Sequence, residues 1–173
     1  MLDGFVDEAQ EKIQNPERAE PVDFIDESIG KYDQGFDRVV AYMEERDAVV
    51  DEDLDPNGLA MRKAVTAIME SAYEDGDAEA AFYAGRLQQS LMLARLYVAK
   101  YLTTNDAADV ARAHEELDQN VAERAAVLDR SLQNPERRRL LEQFTEARDR
   151  YGAAIDEIDR IIRERNEVIE GQL

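Results

Sequence analysis

The sequence has no cysteine and no tryptophan, a single histidine, and only 8 glycines and 4 prolines. Without cysteine there is no disulfide, no thiolate metal site and no haem-attachment motif. This permits an oxidising compartment but does not require one. With one histidine and no Glu-x-x-His pair, the chain lacks the ligand sets of di-iron and zinc sites, and it has neither Gly-x-Ser-x-Gly nor a glycine-rich phosphate loop. No metal, no cofactor and no enzymatic activity are therefore expected. Acid pairs such as Asp109 and Glu115 read as solvated helix faces in a chain with 40 acidic residues. Positive charge is also scarce: 21 Lys and Arg give a formal net charge of −19, which repels phosphate backbones and anionic lipid headgroups. Nucleic acid is not an expected partner. Apolar runs are a few residues long, far below the roughly 20 needed to cross a bilayer, and the start of the chain does not resemble a signal segment. Met1 and Leu173 both fall inside helical patterns, so the expectation is a piece cut from a longer protein.

Ala, Glu, Asp, Arg and Leu dominate and aromatics are 7%, the composition of long helices. The expected class is all-α. Apolar periodicity and turn chemistry predict six helical stretches: about Leu2 to Ile13, Pro21 to Leu54, Leu59 to Tyr73, Ala78 to Leu102, Ala107 to Leu132, and Glu136 to Leu173. "LDPNG" interrupts the second, with Asp55 as a candidate N-cap and Pro56 at the first helical position; if it only bends the helix, the end of the second stretch, the third, fourth and fifth and the start of the sixth make a four-helix bundle. "TTND" closes the fourth, with Thr104 or Asn105 as a candidate cap for the fifth.

"QNPER" occurs at Gln14 to Arg18 and again at Gln133 to Arg137, 119 positions later, and the same offset gives twelve identities in 41 pairs, Tyr32/Tyr151 and Arg46/Arg165 among them. An ungapped match of this length is an internal repeat. The second and sixth helices align heptad for heptad, Ile25, Ile29, Tyr32, Phe36, Val39, Met43, Arg46, Val50 against Phe144, Arg148, Tyr151, Ile155, Ile158, Ile162, Arg165, Ile169. Alternating steps of three and four over this length define a bundle seam. The predicted architecture is two stacked four-helix-bundle modules sharing the long helices. Residues 1–47 form part of one module and 48–160 the other, while 161–173 end the helix that returns to the first.

Several polar residues fall inside the apolar stripes. On the fourth helix the predicted inward positions are Ala84, Gln88, Leu91, Arg95, Val98 and Leu102; on the fifth they are Val110, His114, Leu117, Val121, Arg124 and Leu128. Arg148 takes the place that Ile29 has in the first repeat copy. Counting from the hairpin ends at Gly76 and Gln133 places Arg95, His114 and Tyr151 at 19, 19 and 18 residues. Gln88, Asn120 and Arg148 form a second layer at 12, 13 and 15. An inward guanidinium cannot shed its charge and must find a carboxylate, internal or from a ligand. Its planar fork suits carboxylates, with Tyr and Gln as neutral donors. Arg95, Arg148, Tyr151, Gln88 and His114 are therefore the candidate site for a small organic anion, with Arg46 and Arg165 as a possible second site. The bland alternative is Arg side chains that snorkel to surface acids such as Glu115 or Asp149. Met92, Leu93 and Tyr97 lie off the inward stripe, a pattern that fits either subunit contact or ordinary scatter.

The run "LDPNGLAMRKAVTAIMESAYEDGDAEAAFYAGRLQQSLMLARLYVAKYLTTND", followed by "NPERRRLLEQFTEARDRYGAAIDEIDRIIRERNEVIEGQL" with its Arg165-Asn166 pair, resembles the helical bimodular sensor domains of bacterial methyl-accepting chemoreceptors. The likeness covers nearly the whole chain, most strongly Tyr32 to Leu173. It implies two stacked four-helix modules on the periplasmic or extracellular side of the cytoplasmic membrane, attached through helices outside this sequence and homodimeric in the full receptor. It also implies binding of small organic acids and signalling through a transmembrane helix to a histidine kinase. The family's membrane-proximal module has a further helix that this chain lacks. The five ligand-site residues follow from register, not from the resemblance. Ligand binding is expected to shift the sixth helix against its neighbours. The alternatives are the ectodomain of a sensor kinase and a structural or adaptor bundle whose buried Arg residues fix register.

Overall fold

In a computed structural model, which describes residues 2–13 and 15–172, the protein is an all-α helical bundle with no strand among the described residues. The helices are α1 (Leu2–Lys12), α2 (Pro16–Val49), α3 (Asp55–Glu74), α4 (Ala78–Thr104), α5 (Ala107–His114), α6 (Ala122–Ser131) and α7 (Pro135–Gln172). Two π-helical segments, Val50–Leu54 and Glu115–Val121, join α2 to α3 and α5 to α6. The chain divides into one unit of Met1–Glu45 and Ile161–Leu173 and another of Arg46–Arg160.

"LDPNG" does not interrupt the helix. Leu54 and Asp55 keep helical dihedrals (φ −66°, ψ −57° and φ −65°, ψ −44°), and the Asp55 N–H donates to the Val50 carbonyl five residues back. Pro56 has no N–H and its ring crowds the carbonyl four residues earlier, which ordinarily kinks a helix. Widening the preceding turn to π spacing accommodates it. The Asn57 side chain donates to the Asp53 carbonyl at 2.7 Å. Asp55 is therefore a helical residue and no cap.

The α3–α4 turn follows its sequence closely. Gly76 takes φ +73°, the left-handed conformation that favours glycine, and the Gly76 and Asp77 N–H groups return to the Tyr73 and Ala72 carbonyls at 3.1 and 2.8 Å. This is a Schellman ending. Asp77 then accepts from the Ala80 N–H at 3.1 Å and caps α4. At the next turn Asn105 is left-handed (φ 55°) and Asp106, not Thr104 or Asn105, is the N-cap of α5, accepting from the Ala108 N–H at 2.9 Å. Thr104 instead accepts from the Asp106 N–H at 3.1 Å.

Within the unit Arg46–Arg160, α3, α4, the α5–π–α6 rod and the first part of α7 form a four-helix arrangement. Its core is built from Met61, Val65 and Ile68 of α3, Leu87, Leu91 and Val98 of α4, Leu117, Val121 and Leu128 of the rod, and Phe144, Tyr151, Ile155 and Ile158 of α7, all nearly inaccessible. The buried line on α4 is Ala80, Ala84, Leu87, Leu91, Ala94, Val98 and Tyr101. Ala84, Leu91 and Val98 of the predicted stripe lie on this line, whereas Gln88, Arg95 and Leu102 sit at its half-buried edge. Both registers step by three and four. The structure centres on the one that adds Ala80 and Ala94 to Ala84 at the seam, where small residues let helices approach closely. On the rod the buried residues include Ala113 and Ala125, while His114 and Arg124 are half-buried flanks. The π turn between them resets the register. On α7, Ala147 is buried and Arg148 flanks it.

The unit of Met1–Glu45 and Ile161–Leu173 is packed differently. Ile161, Ile162 and Val168 are buried, but the α2 heptad residues Ile25, Tyr32, Phe36 and Met43 are 48, 51, 52 and 43% exposed. Their repeat counterparts Phe144, Tyr151, Ile155 and Ile162 are at most 3% exposed. Equivalent stripes thus have unequal burial.

Candidate functional site

The predicted first layer is partly assembled. Arg95 on α4 and Tyr151 on α7 meet at Gly58 on α3: a Cβ placed on Gly58 would stand 3.1 Å from Tyr151 Cε2 and 3.3 Å from Arg95 Nε. The missing side chain is what lets the three helices close on one another here. Tyr151 is buried, and burial pushes its hydroxyl up to about 12; the Arg95 cation pulls the other way and the Asp55 carboxylate adds to the rise. The phenol is therefore a neutral donor at physiological pH. Arg95 is half-buried and forms no ion pair with a carboxylate among the described residues. Arg46, Arg112, Arg137, Arg138, Arg139, Arg148, Arg150 and Arg160 each pair with a carboxylate; what sets Arg95 apart from the other arginines without one is its place against the buried Tyr151 and Gly58.

The other candidates go elsewhere. His114 lies between two acids, Nδ1 3.4 Å from Asp118 and Nε2 3.4 Å from Asp156 of α7. No group of His, Asp and Glu suited to a metal ion occurs among the described residues. Gln88 reaches across to Thr66 of α3 at 3.5 Å. Arg148 turns to its neighbour Asp149 (3.1 and 2.7 Å) on the wall of a groove of about 550 Å³ between α6 and α7. Asn120 donates to Glu116 at 2.9 Å. The second predicted layer of Gln88, Asn120 and Arg148 is thus three separate contacts, one across to α3 and two within a single helical stretch. Arg46 donates to Asp47 at 2.9 and 2.6 Å, and Arg165 to Asn166 at 3.2 and 2.8 Å; each is held by the residue that follows it.

Of the off-stripe residues on α4, Met92 and Leu93 are 39 and 38% exposed. The ring of Tyr97 is covered from within the chain, with Lys100 Nζ 5.2 Å and the Arg112 guanidinium 5.6 Å from its centroid. Lys100 also donates to Asp109 at 2.7 Å, which holds that carboxyl below its usual range despite partial burial, with Thr104 adding a further hydrogen bond.

Three buried charged residues escaped sequence reasoning; Asp109, expected on a solvated face, is 8% exposed because Lys100 and Thr104 satisfy its carboxylate. Glu116, 2% exposed, lies in the π turn and is bound by Arg112 and Asn120. Its burial depends on the π offset, which no local sequence signal reveals. Arg137 is 3% exposed: Nε donates to Ser71 Oγ at 3.1 Å, Nη2 to the Ser71 carbonyl at 2.8 Å and to Asp75, and Nη1 to Asp77 at 2.9 Å. It is the last residue of the repeated "QNPER" block, and that repetition was the available signal. Its counterpart in the first copy, Arg18, has a side chain outside those the structure describes, and Gln14 lies outside the described residues altogether.

The fold and these contacts define the class: an all-α bundle that holds an arginine without a carboxylate partner beside a buried tyrosine, at a point where three helices close. Neither a protein-family model nor a curated protein matches the sequence.

Proposed function

We propose that this chain is the extracytoplasmic sensor domain of a membrane receptor of the chemoreceptor type, and that Arg95 binds the carboxylate of a small organic acid. One observation carries the reading. In a chain with 40 acids, a half-buried guanidinium flanked by Tyr151 and Gly58 has no carboxylate partner. A cation in that position gains most from an incoming carboxylate, and the neutral Tyr151 hydroxyl supplies a second donor. The acid touches residues from three helices at once, so its binding favours one packing of α7 against α3 and α4 over another, a basis for signalling along α7. In the full receptor the chain acts as a homodimer attached to the membrane by helices outside this sequence.

A second reading has its own support: the close fit at Gly58 and the pairing of Arg148 with Asp149 suit a structural bundle in which Arg95 serves register alone. A thermal-shift screen with small mono- and dicarboxylates, on the parent and on Arg95→Ala, separates the two. Ligand at about a hundred times its dissociation constant adds about 2.7 kcal/mol of stability. The sensor reading expects that shift for one class of acid and its loss in Arg95→Ala. No shift with any acid returns the bundle to a structural role.

A further inference from the structure

A pair of guanidiniums without carboxylate partners stands on the edge of α4 opposite Arg95. Phe82, Tyr83 and Arg86 of α4, with Asn120, Glu123, Arg124 and Val127 of the rod, line a half-enclosed groove of about 290 Å³. Arg124 is fixed across it, its Nη1 donating to the Arg86 carbonyl at 2.7 Å. This contact spends one nitrogen of the fork on a neutral oxygen. Neither Arg86 nor Arg124 pairs with a carboxylate among the described residues. Glu123 shares the groove but lies beyond ion-pair distance of both. Part of the lining is aromatic: the Phe82 and Tyr83 rings meet edge to face, with centroids 5.6 Å apart at 63°, and Phe82 is 58% exposed.

We infer that this groove is a binding site for a small aromatic carboxylate. Two forks with free donors meet the carboxylate, while the exposed Phe82 ring and Val127 take the apolar ring. The volume lies at the small end of ligand pockets, which restricts the occupant to a single-ring acid. An aliphatic acid of similar charge gains the guanidinium contacts but leaves Phe82 wet, so discrimination comes from the ring. The groove shares no residue with the Arg95 site, and neither assignment depends on the other.

The test is a titration of isotope-labelled protein with sodium benzoate, followed by amide chemical shifts, with sodium acetate in parallel. Benzoate should shift the amides of 82–86 and 120–127 saturably, with acetate at least about tenfold weaker there. Arg86→Ala with Arg124→Ala, and separately Phe82→Ala, should each weaken benzoate by about tenfold or more. Phe82 is exposed, so its truncation leaves the fold intact and keeps the test valid if the arginine variant unfolds. Glu123→Gln should tighten binding. Shifts confined to the surroundings of Gly58, Arg95 and Tyr151 would overturn this groove and leave the proposed function standing. Equal benzoate affinity in the parent and Phe82→Ala would also overturn it.

Discussion

Truncating Arg137 to alanine should be strongly destabilising, and the magnitude follows from the contacts it makes with the α3–α4 turn. Four donor contacts are lost, to Ser71 Oγ, the Ser71 carbonyl, Asp75 and Asp77. Hydrogen bonds involving a charged group contribute about 1.5–3 kcal/mol each when buried. The Asp75 and Asp77 side chains are 61 and 34% exposed, so water replaces most of what these two contacts lose and each adds only about 0.2–0.5 kcal/mol, while each of the two Ser71 contacts adds about 1.5 kcal/mol. The Ser71 carbonyl belongs to the last turn of α3, where a cation also offsets the helix dipole by about 0.3–1 kcal/mol. Together these give about 4 kcal/mol, or a fall of about 8–16 °C in Tm for a chain of this size. Arg137→Lys keeps the charge but not the planar fork that reaches four acceptors on three residues, and should recover about half. Urea denaturation followed by far-UV circular dichroism reads both. An Arg137→Ala variant within about 1 kcal/mol of the parent would refute the account of Arg137 as the clamp between α7 and the α3–α4 turn. A lysine variant as stable as the parent would refute the fork argument alone.

Alkaline titration of phenolate absorbance should show a tyrosine ionising near 12 that is absent in Tyr151→Phe. Because the folded value lies above the ordinary 10.0, this group stabilises the fold fully below that value, and the contribution is lost as pH rises towards 12. Asp109 behaves oppositely. Its folded pKa lies below the ordinary 3.8 through the Lys100 hydrogen bond, so its contribution is present above 3.8 and lost as pH falls through the depressed value. Asp109→Asn should thus be less stable than the parent at neutral pH and indistinguishable from it in strong acid, measured by urea unfolding at both. Gly58→Ala gains about 1 kcal/mol of helix propensity but drives a methyl to 3.1 Å from the Tyr151 ring and 3.3 Å from Arg95. Overpacking of about 1–3 kcal/mol should outweigh the gain, and the Tyr151 titration should shift as Arg95 is displaced. A more stable variant with an unchanged Tyr151 titration would show that the three helices do not close on that glycine.

Composition and periodicity by themselves determined that this chain is helical and where most turns fall. Few glycines and prolines, abundant alanine and charge, and apolar steps of three and four leave the backbone little alternative, and "EDGD" carries its own Schellman ending. Registers were another matter. On α4, Gln88 and Arg95 and the truly buried Leu87 and Ala94 belong to adjacent stripes with the same spacing, and a one-residue rotation is decided by which faces pack most closely across the bundle. The π turns follow the same logic. Pro56 announces a disturbance, but whether the helix breaks there or widens is set by the helices that hold its two sides in line. The turn at Glu115–Val121 has no local signature, so the burial of Glu116 and the half-exposure of His114 and Arg124 lay beyond sequence reasoning. Arg95 and Tyr151 were named from position along the chain, yet what makes them a pair is Gly58, which only the approach of a third helix brings between them. Sequence fixes local conformation because its causes lie within a few residues. Tertiary structure decides partnership, because a guanidinium's choice between an adjacent acid, a distant carbonyl and no carboxylate at all depends on which surfaces meet.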